Sequence, residues 1–397
     1  MELSKKVLQI NPSITLEITA KAAELKAQGI DVLSFGAGEP DFNTPNNIIE
    51  AAYKAMKEGK TKYTKTSGII ELRKAICDKL KKENNLNYFP EQIIVSTGAK
   101  QCLSNIFMAI LNPGDEVIIP TPYWVSYPEL VKMADGVPVF CNTEESNDFK
   151  YTIASLKKVL TKKTKAIILN SPNNPTGSIY NEEELKAIAE FAKENDLIII
   201  SDEIYEKLIY DNKKHISIAS LSEDAYNRTI VINGFSKSYA MTGWRIGYSA
   251  SSKKIASLMG SIQSHMTSNA SSISQYAALE ALEGSQDSVN KMIKEFESRR
   301  NYMADRLAEI KNVSFIKPMG AFYIMVNVGY YYNKELNGYK IKSSLDFSKK
   351  LLEEEKLAVI PGIAFGLDNY IRLSYATSME VISKGLDRLE NFLNKLK

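Results

Sequence analysis

The chain has few cysteines, no long apolar run and no surplus of either charge, and each lack closes off a class of protein. Its three cysteines, Cys77, Cys102 and Cys141, form no CxxC pair and leave one unmatched in any disulfide scheme. That fits a reducing compartment and packing roles for all three. No uncharged apolar stretch approaches the ~20 residues that cross a bilayer. The opening "MELSKKVLQINPS" has no apolar core followed by small residues, so the expectation is a cytoplasmic protein with no membrane partner. With 50 basic against 47 acidic residues the net charge is only +3, which argues against nucleic acid as a main partner. Pro- or Ser-rich linkers, internal repeats and low-complexity tracts are missing too, so any lobes should share an extensive contact.

What is present reads as a globular α/β chain. At 397 residues it has the length of two or three lobes of roughly 150 residues each. From about Ile93 to Ala250, β-rich runs ("IIVST", "EVIIP", "PVF", "KAIILNS", "LIIISDE", "TIVING", "IGYSA") alternate with helical ones, the rhythm of a sheet covered on both faces. After about Gly284 the texture changes to long charged helices and a short strand pair around "AFYIMVNV" and "IRLSYA". A closing helix then opens on a Thr377-x-x-Glu380 capping box. "GYYYNKELNGYK" reads as a tyrosine-rich surface insertion whose function is not legible.

In open α/β sheets, ligands bind beyond the carboxyl ends of the strands, and four unusual clusters occupy such ends. "STGAK" turns from strand to helix at Gly98 and Ala99, where free N–H groups can hold a phosphate. Lys100, in the first turn of that helix, opposes the helix dipole unless an anion lies near, though a solvated lysine is the plainer reading. "NSPNNPTG" is either an ordinary turn or a loop that aims Asn174 at a ligand. "SDEIYE" sets Asp202 and Glu203 past a strand buried on both faces, where a carboxylate needs a partner. The alternatives are an internal ion pair, a helix N-cap, or a cationic ring nitrogen facing Asp202 with the Tyr205 phenol beside it. In "SKSYAMTGWRIGY" a desolvated Lys237 can be neutral enough to form a Schiff base with an aldehyde. Arg245, eight residues on, suits a phosphate; a pair of solvated cations is the alternative. Together these are the needs of pyridoxal phosphate.

At this point the chain resembles the class I (fold type I) pyridoxal-phosphate-dependent aminotransferases, and within them the bacterial and archaeal aspartate aminotransferase branch. The likeness runs through "NPSITLEITAKAAELKAQGIDVLSFGAGEPDFNTP", "GKTKYTKTSGIIELR", "PTPYWVSYPE", "NSPNNPTG", "SDEIYE", "SKSYAMTGWRIGY", "PMGAFY" and "IRLSYATS". It implies a large cofactor-binding domain over residues 33–283 with a mostly parallel seven-stranded sheet. A smaller α+β domain would comprise 1–32 and 284–397. It implies that Lys237 carries the cofactor and shuttles protons, and that Asp202 pairs with the pyridine nitrogen. Tyr205 and Asn174 would bond the phenolic oxygen, and Trp124 would stack on the ring. Gly98, Ala99 and Arg245 would bind the phosphate, joined by Tyr63 from a second subunit of a homodimer with shared sites; Lys100 and Ser236 complete the cofactor positions. Arg372 would clasp the substrate α-carboxylate, helped by Asn174, Trp124 and the backbone of Gly38. No metal is implied.

Three departures from the family pattern matter. Gly234 stands where many relatives carry a phosphate-binding serine. No arginine occurs in "QSHMTSNASS", so in this branch Lys100 takes the distal carboxylate of aspartate. Asn11 replaces a lysine found in relatives that also transaminate prephenate. The implied reaction moves the amino group of L-aspartate to 2-oxoglutarate. Alanine, aromatic amino acids, a β-elimination substrate and prephenate are the alternatives within the same cofactor chemistry. A nicotinamide-dependent dehydrogenase fits less well, because "FGAGEPDF" has Gly36-x-Gly38 and then runs into Pro40 and Asp41, without the third glycine and helix start of the dinucleotide fingerprint. A ligand-sensing regulator would need a DNA-binding extension, and no helix-turn-helix pattern precedes the domain.

Overall fold

The computed structural model describes residues 2–397. Seven strands form its main sheet: β1 (Ile93–Ser96), β2 (Glu116–Thr121), β3 (Val137–Asn142), β4 (Thr164–Asn170), β5 (Ile198–Asp202), β6 (Thr229–Gly234) and β7 (Gly247–Ala250). Their spatial order is β1-β7-β6-β5-β4-β2-β3. Strands β2 to β6 pair in parallel, whereas β7 runs antiparallel to both β1 and β6. The central strands are nearly continuous Ile, Val, Leu and Ala because helices cover both faces. Ile200, Ile230 and Ile232 pack with Leu103 and Phe107 on one side, and Ile167, Leu169 and Ile199 with Leu185 and Phe191 on the other. Helices used below are α1 (Ile14–Ala27), α2 (Asn46–Lys57), α3 (Ile70–Asn84), α4 (Ala99–Ile110) and α5 (Ser126–Met133).

The reversed strand is what assembles one edge of the sheet. The carboxyl ends of β1, β2, β4, β5 and β6 lead into Gly98, Trp124, Asn174, Asp202 and Lys237, and the antiparallel β7 starts where those strands finish. Arg245, two residues before β7, therefore lies at the same edge. It sits there at φ +51°, a left-handed conformation a β-carbon disfavours and one that clusters at functional sites.

A second, antiparallel sheet has four short strands: β8 (Ser314–Phe315), β9 (Tyr323–Asn327), β10 (Ile360–Pro361) and β11 (Tyr370–Ser374), in the order β10-β11-β9-β8. The strand pair expected around "AFYIMVNV" and "IRLSYA" is β9 with β11, and it sets Met325 opposite Arg372. Leu33–Ser34 pairs in parallel with Leu357–Ala358, so the segment after α1 is stitched to this region. The helix Asp287–Glu309 runs between the two sheets' packing layers; its fully buried Arg300 holds Asp211 by two hydrogen bonds of 2.7 Å.

One local expectation needs correction. The closing helix, Met379–Lys395, is capped by Ser378, whose hydroxyl accepts from the Val381 N–H; Thr377 lies one residue too early. The 329–340 stretch lies at the surface as expected, with Tyr330 and Tyr339 exposed, and is anchored at two points. Tyr331 is buried and donates to the Lys311 carbonyl at 2.8 Å, and Tyr332 donates to the Asp368 carbonyl. A small hairpin, Glu335–Leu336 with Tyr339–Lys340, follows.

Candidate active site

A cavity of about 520 Å³ opens at the shared strand edge, a size suited to a small organic ligand. Its lining brings together Gly38, Ala99, Lys100, Trp124, Asn174, Asp202, Tyr205, Ser236, Lys237, Arg245 and Arg372. Of the expected site residues, Gly98 lies behind the wall and Tyr63 is not at the cavity at all. Tyr63 is 91% exposed.

Lys237 has the surroundings its chemistry calls for. Its Nζ donates to the Gly38 carbonyl at 2.6 Å and otherwise faces the cavity. Burial lowers its pKa to about 8, with the Arg372 and Arg245 charges helping and Glu39 and Asp202 opposing. At pH 7 about a tenth of such an amine is neutral, against well under about a thousandth for an ordinary lysine, which makes it far more nucleophilic.

Asp202 is buried, and its two oxygens accept from the Tyr127 hydroxyl at 2.7 Å and the Ile204 N–H at 3.2 Å. Burial raises its pKa to about 6 despite those bonds, and the neighbouring Glu203 adds to the rise. No cation hydrogen-bonds it among the described residues. A buried carboxylate left so is costly unless a ligand brings positive charge. Glu203, by contrast, takes the internal-partner reading: it faces away and is hydrogen-bonded by Ser201, Ser217 and His215.

At the β1 turn, Gly98 has φ +81°, and a β-carbon there would lie 2.6 Å from Arg245 Nη2. A β-carbon on Gly247 would lie 2.6 Å from the Ala99 nitrogen. Glycine at both positions lets the guanidinium approach the start of α4, where free N–H groups and the helix dipole favour an anion. Gly234 could not be a serine without movement: its β-carbon would stand 3.0 Å from the Gly247 α-carbon and 3.2 Å from Ile204. Lys100 lies 5.0 Å from the Trp124 ring centroid. Its pKa is lowered by burial and by the charge of Arg245, so two cations share this end with no acid between them.

Arg372 is 4% exposed and lies between the rings of Tyr323 and Phe365, 4.2 and 4.9 Å from their centroids. It donates to Asn174 Oδ1 at 3.1 Å and to the Gly36 carbonyl at 3.3 Å, while its Nε has no partner among the described residues. Gly38 lines the cavity beside it. Asn174 is itself held by Asn170, whose amide donates to the Asp202 carbonyl at 2.9 Å.

These features fit pyridoxal phosphate: a glycine cradle beside an arginine for the phosphate, an uncompensated buried carboxylate for a protonated ring nitrogen, and a lysine of lowered pKa for the aldehyde. The residues missed in the sequence are Tyr127, Asn170 and Tyr323. Tyr127 sits three residues after Trp124 and meets it edge-on at 5.3 Å, a spacing that a same-face reading of "YWVSY" would have caught.

The family model for aminotransferase class I and II matches residues 30–389. The chain is a class I and II aminotransferase. It is 51% identical to an aspartate aminotransferase of Bacillus subtilis over the full length of both proteins. It is 48% identical to a probable aspartate/prephenate aminotransferase of Aquifex aeolicus, covering 99% of each. The solved aspartate aminotransferase of Thermus thermophilus with maleate superimposes with a TM-score of 0.93 at 41% identity, covering 98% of this chain and 99% of that one. Among the described residues of this aminotransferase, no helix is long and apolar enough to cross a membrane.

Proposed function

We propose that this aminotransferase moves the amino group of L-aspartate to 2-oxoglutarate with pyridoxal phosphate as cofactor, giving oxaloacetate and L-glutamate. The observation that carries the reading is the placement of Lys237, Asp202 and the Gly98–Arg245 cradle in one cavity with Arg372, whose Nε is unpaired. Arg372 holds the substrate α-carboxylate as a planar fork. Asp202 stays ionised against the ring nitrogen. Tyr205 and Asn174 would hold the ring's oxygen, Trp124 would cover its face, and Ala99, Ser236 and Arg245 would hold the phosphate. The bound cofactor supplies an aldehyde to capture the amino group and a conjugated ring to accept electrons from the Cα–H bond. Lys237 Nζ, which faces the cavity, would take the proton from the substrate Cα and hand it on within the same site. Maleate, like aspartate, is a four-carbon dicarboxylate, so a relative that accommodates it supports a two-cation site. Rates with aspartate, alanine, phenylalanine and cystathionine test the assignment; a preference for any of the last three overturns it.

Lys100 is assigned to the distal carboxylate. Lys100→Ser should lower kcat/KM for aspartate roughly 50-fold, the worth of a charge-assisted bond, and for alanine by no more than about threefold. Equal losses for both would place Lys100 on the phosphate instead.

Asp202 predicts a pH dependence. Its pKa of about 6 in the open site means that below pH 6 a proton must leave before the carboxylate can pair with a ring cation. Cofactor affinity should therefore fall as pH drops through that value, by up to about tenfold per unit. In Asp202→Asn that component of the slope should vanish, although binding is weaker throughout. Fluorescence titration of the cofactor-free protein measures both; identical slopes would remove Asp202 from the role.

Little or no prephenate activity is expected. Asn11 brings no charge for a second carboxylate, and it is turned outward: its backbone N–H and side-chain amide both approach Glu129, at 3.2 and 3.4 Å. An efficiency on prephenate close to that on aspartate would show that the contact is made elsewhere.

We also infer a homodimer with shared sites. Ile49, Tyr53 and Met56 on α2, Ile70 at the start of α3, and Tyr63 between these helices are exposed, a concentration of large apolar side chains that marks a contact surface. With Gly234 unable to offer a hydroxyl, a phosphate beside Arg245 gains from a donor on another chain.

A further inference from the structure

Directly behind Asp202 and Tyr205 lies a buried charge network that the reaction does not use. The segment after β5 alternates its acids: Asp202 and Tyr205 face the cavity, while Glu203 and Glu206 point the other way. Glu203 Oε1 accepts from Ser201 at 2.8 Å and Ser217 at 2.7 Å, and its Oε2 lies 2.9 Å from His215 Nε2. Glu206 accepts from Lys79, and from Asn84 at 2.9 Å. Glu83 and Lys207 pair at the rim, at 2.9 Å. Tyr88 and Tyr248 also feel the Glu203 charge.

The network is closed to a metal ion, since the Lys79 ammonium already fills the cation's place beside Glu206. Its charge balances only in one state. Glu203 and Glu206 as carboxylates, with Lys79 and His215 as cations, sum to zero; a neutral imidazole leaves one buried negative charge adjoining Asp202. Burial works against a charged His215, but Glu203, by charge and hydrogen bond, and Glu206 together raise its pKa in spite of Lys79. Burial alone would raise Glu206, and Lys79 and His215 reverse this and hold it at about 2.

We propose that His215 is a positioning residue for the cofactor end of the site: as an imidazolium paired with Glu203 it cancels the carboxylate next to Asp202, fixing the Asp202–Tyr205 turn and keeping Asp202 ionised. This rests on the cofactor reading above. A purely structural pair would tolerate loss of either partner only by loosening, whereas an electrostatic one has a sign. His215→Gln makes the network negative and should raise the pH midpoint of the bound cofactor's visible band. Glu203→Gln also removes the charge and hydrogen bond that keep His215 protonated, so His215 turns neutral, the network stays balanced and the midpoint should move little. The shift in His215→Gln should be about half a pH unit, and the double variant, with Glu206 and Lys79 left in balance, should return towards the unaltered protein.

The chain has only two histidines, His215 and His265, which gives a second measurement on the unaltered holoenzyme that leaves the buried network untouched. With ¹⁵N-labelled histidine, and His265→Asn to assign the signals, His215 should show the imidazolium pattern at neutral pH. A neutral His215, a midpoint in His215→Gln that is unmoved or falls, or a double variant that does not bring the midpoint back, overturns the proposal. Absence of any visible band on adding pyridoxal phosphate overturns the cofactor reading along with it; a band with the wrong shifts overturns this inference alone.

Discussion

Lys237→Ala should retain less than about one part in 10⁴ of the aspartate activity, because it removes both the covalent attachment point and the base that moves the Cα proton. Lys237 is the one lysine in the cavity whose amine is brought down to about 8 while lying 2.6 Å from a backbone carbonyl that holds it in place. Lys100, the other lysine of the lining, is committed to the Trp124 face at the anionic end. The variant should still bind pyridoxal phosphate non-covalently, since Asp202, Arg245 and the Gly98 turn are untouched. Its cofactor should then be removed by gel filtration, whereas in the unaltered protein borohydride reduction should fix the cofactor to a single peptide containing Lys237. A label on any other lysine defeats the assignment.

The site was legible in the sequence to the extent that its parts sit on strand ends and in short runs of unusual composition. Asp202, Lys237 and Arg245 each follow or precede a strand whose Ile and Val content identifies it, so their shared edge follows from the α/β rule that ligands meet the carboxyl ends of strands. The reversal of β7 was not legible: "IGYSA" reads as a strand in either direction, and only the pairing with β1 and β6 sets the sense. That reversal is what delivers Arg245. Adjacent acids posed the same difficulty. Asp202 and Glu203 are alike in the sequence, and which faces the ligand depends on His215 and Ser217, twelve or more residues on, reaching back to one of them. Tyr127 was missed because a tyrosine in a helix reads first as packing, and its hydroxyl finds Asp202 across 75 residues of chain. Cap choice between Thr377 and Ser378 turns on where the chain leaves β11, which local sequence does not fix.

The largest gain expected from any experiment on this protein comes from mixing two nearly dead variants. Tyr63 lies outside the cavity of its own chain and is 91% exposed, yet the phosphate end has room for one more donor, because Gly234 offers no hydroxyl and a β-carbon there would press on Gly247 and Ile204. If Tyr63 reaches the partner's site, Tyr63→Asp places a negative charge against the cofactor phosphate and should inactivate its homodimer, as Lys237→Ala inactivates its own. Unfolding and reassembling the two together forms hybrids in which one site lacks both residues and the other has neither lesion. Statistical mixing makes about half of the dimers hybrid, so with one intact site in each, activity should return to about a quarter of the unaltered level. Differently tagged chains, isolated through both tags in turn, verify that hybrids form. If both homodimers are inactive, the isolated hybrids remain so and each chain is folded, then Tyr63 serves its own chain's site and the shared-site reading is wrong.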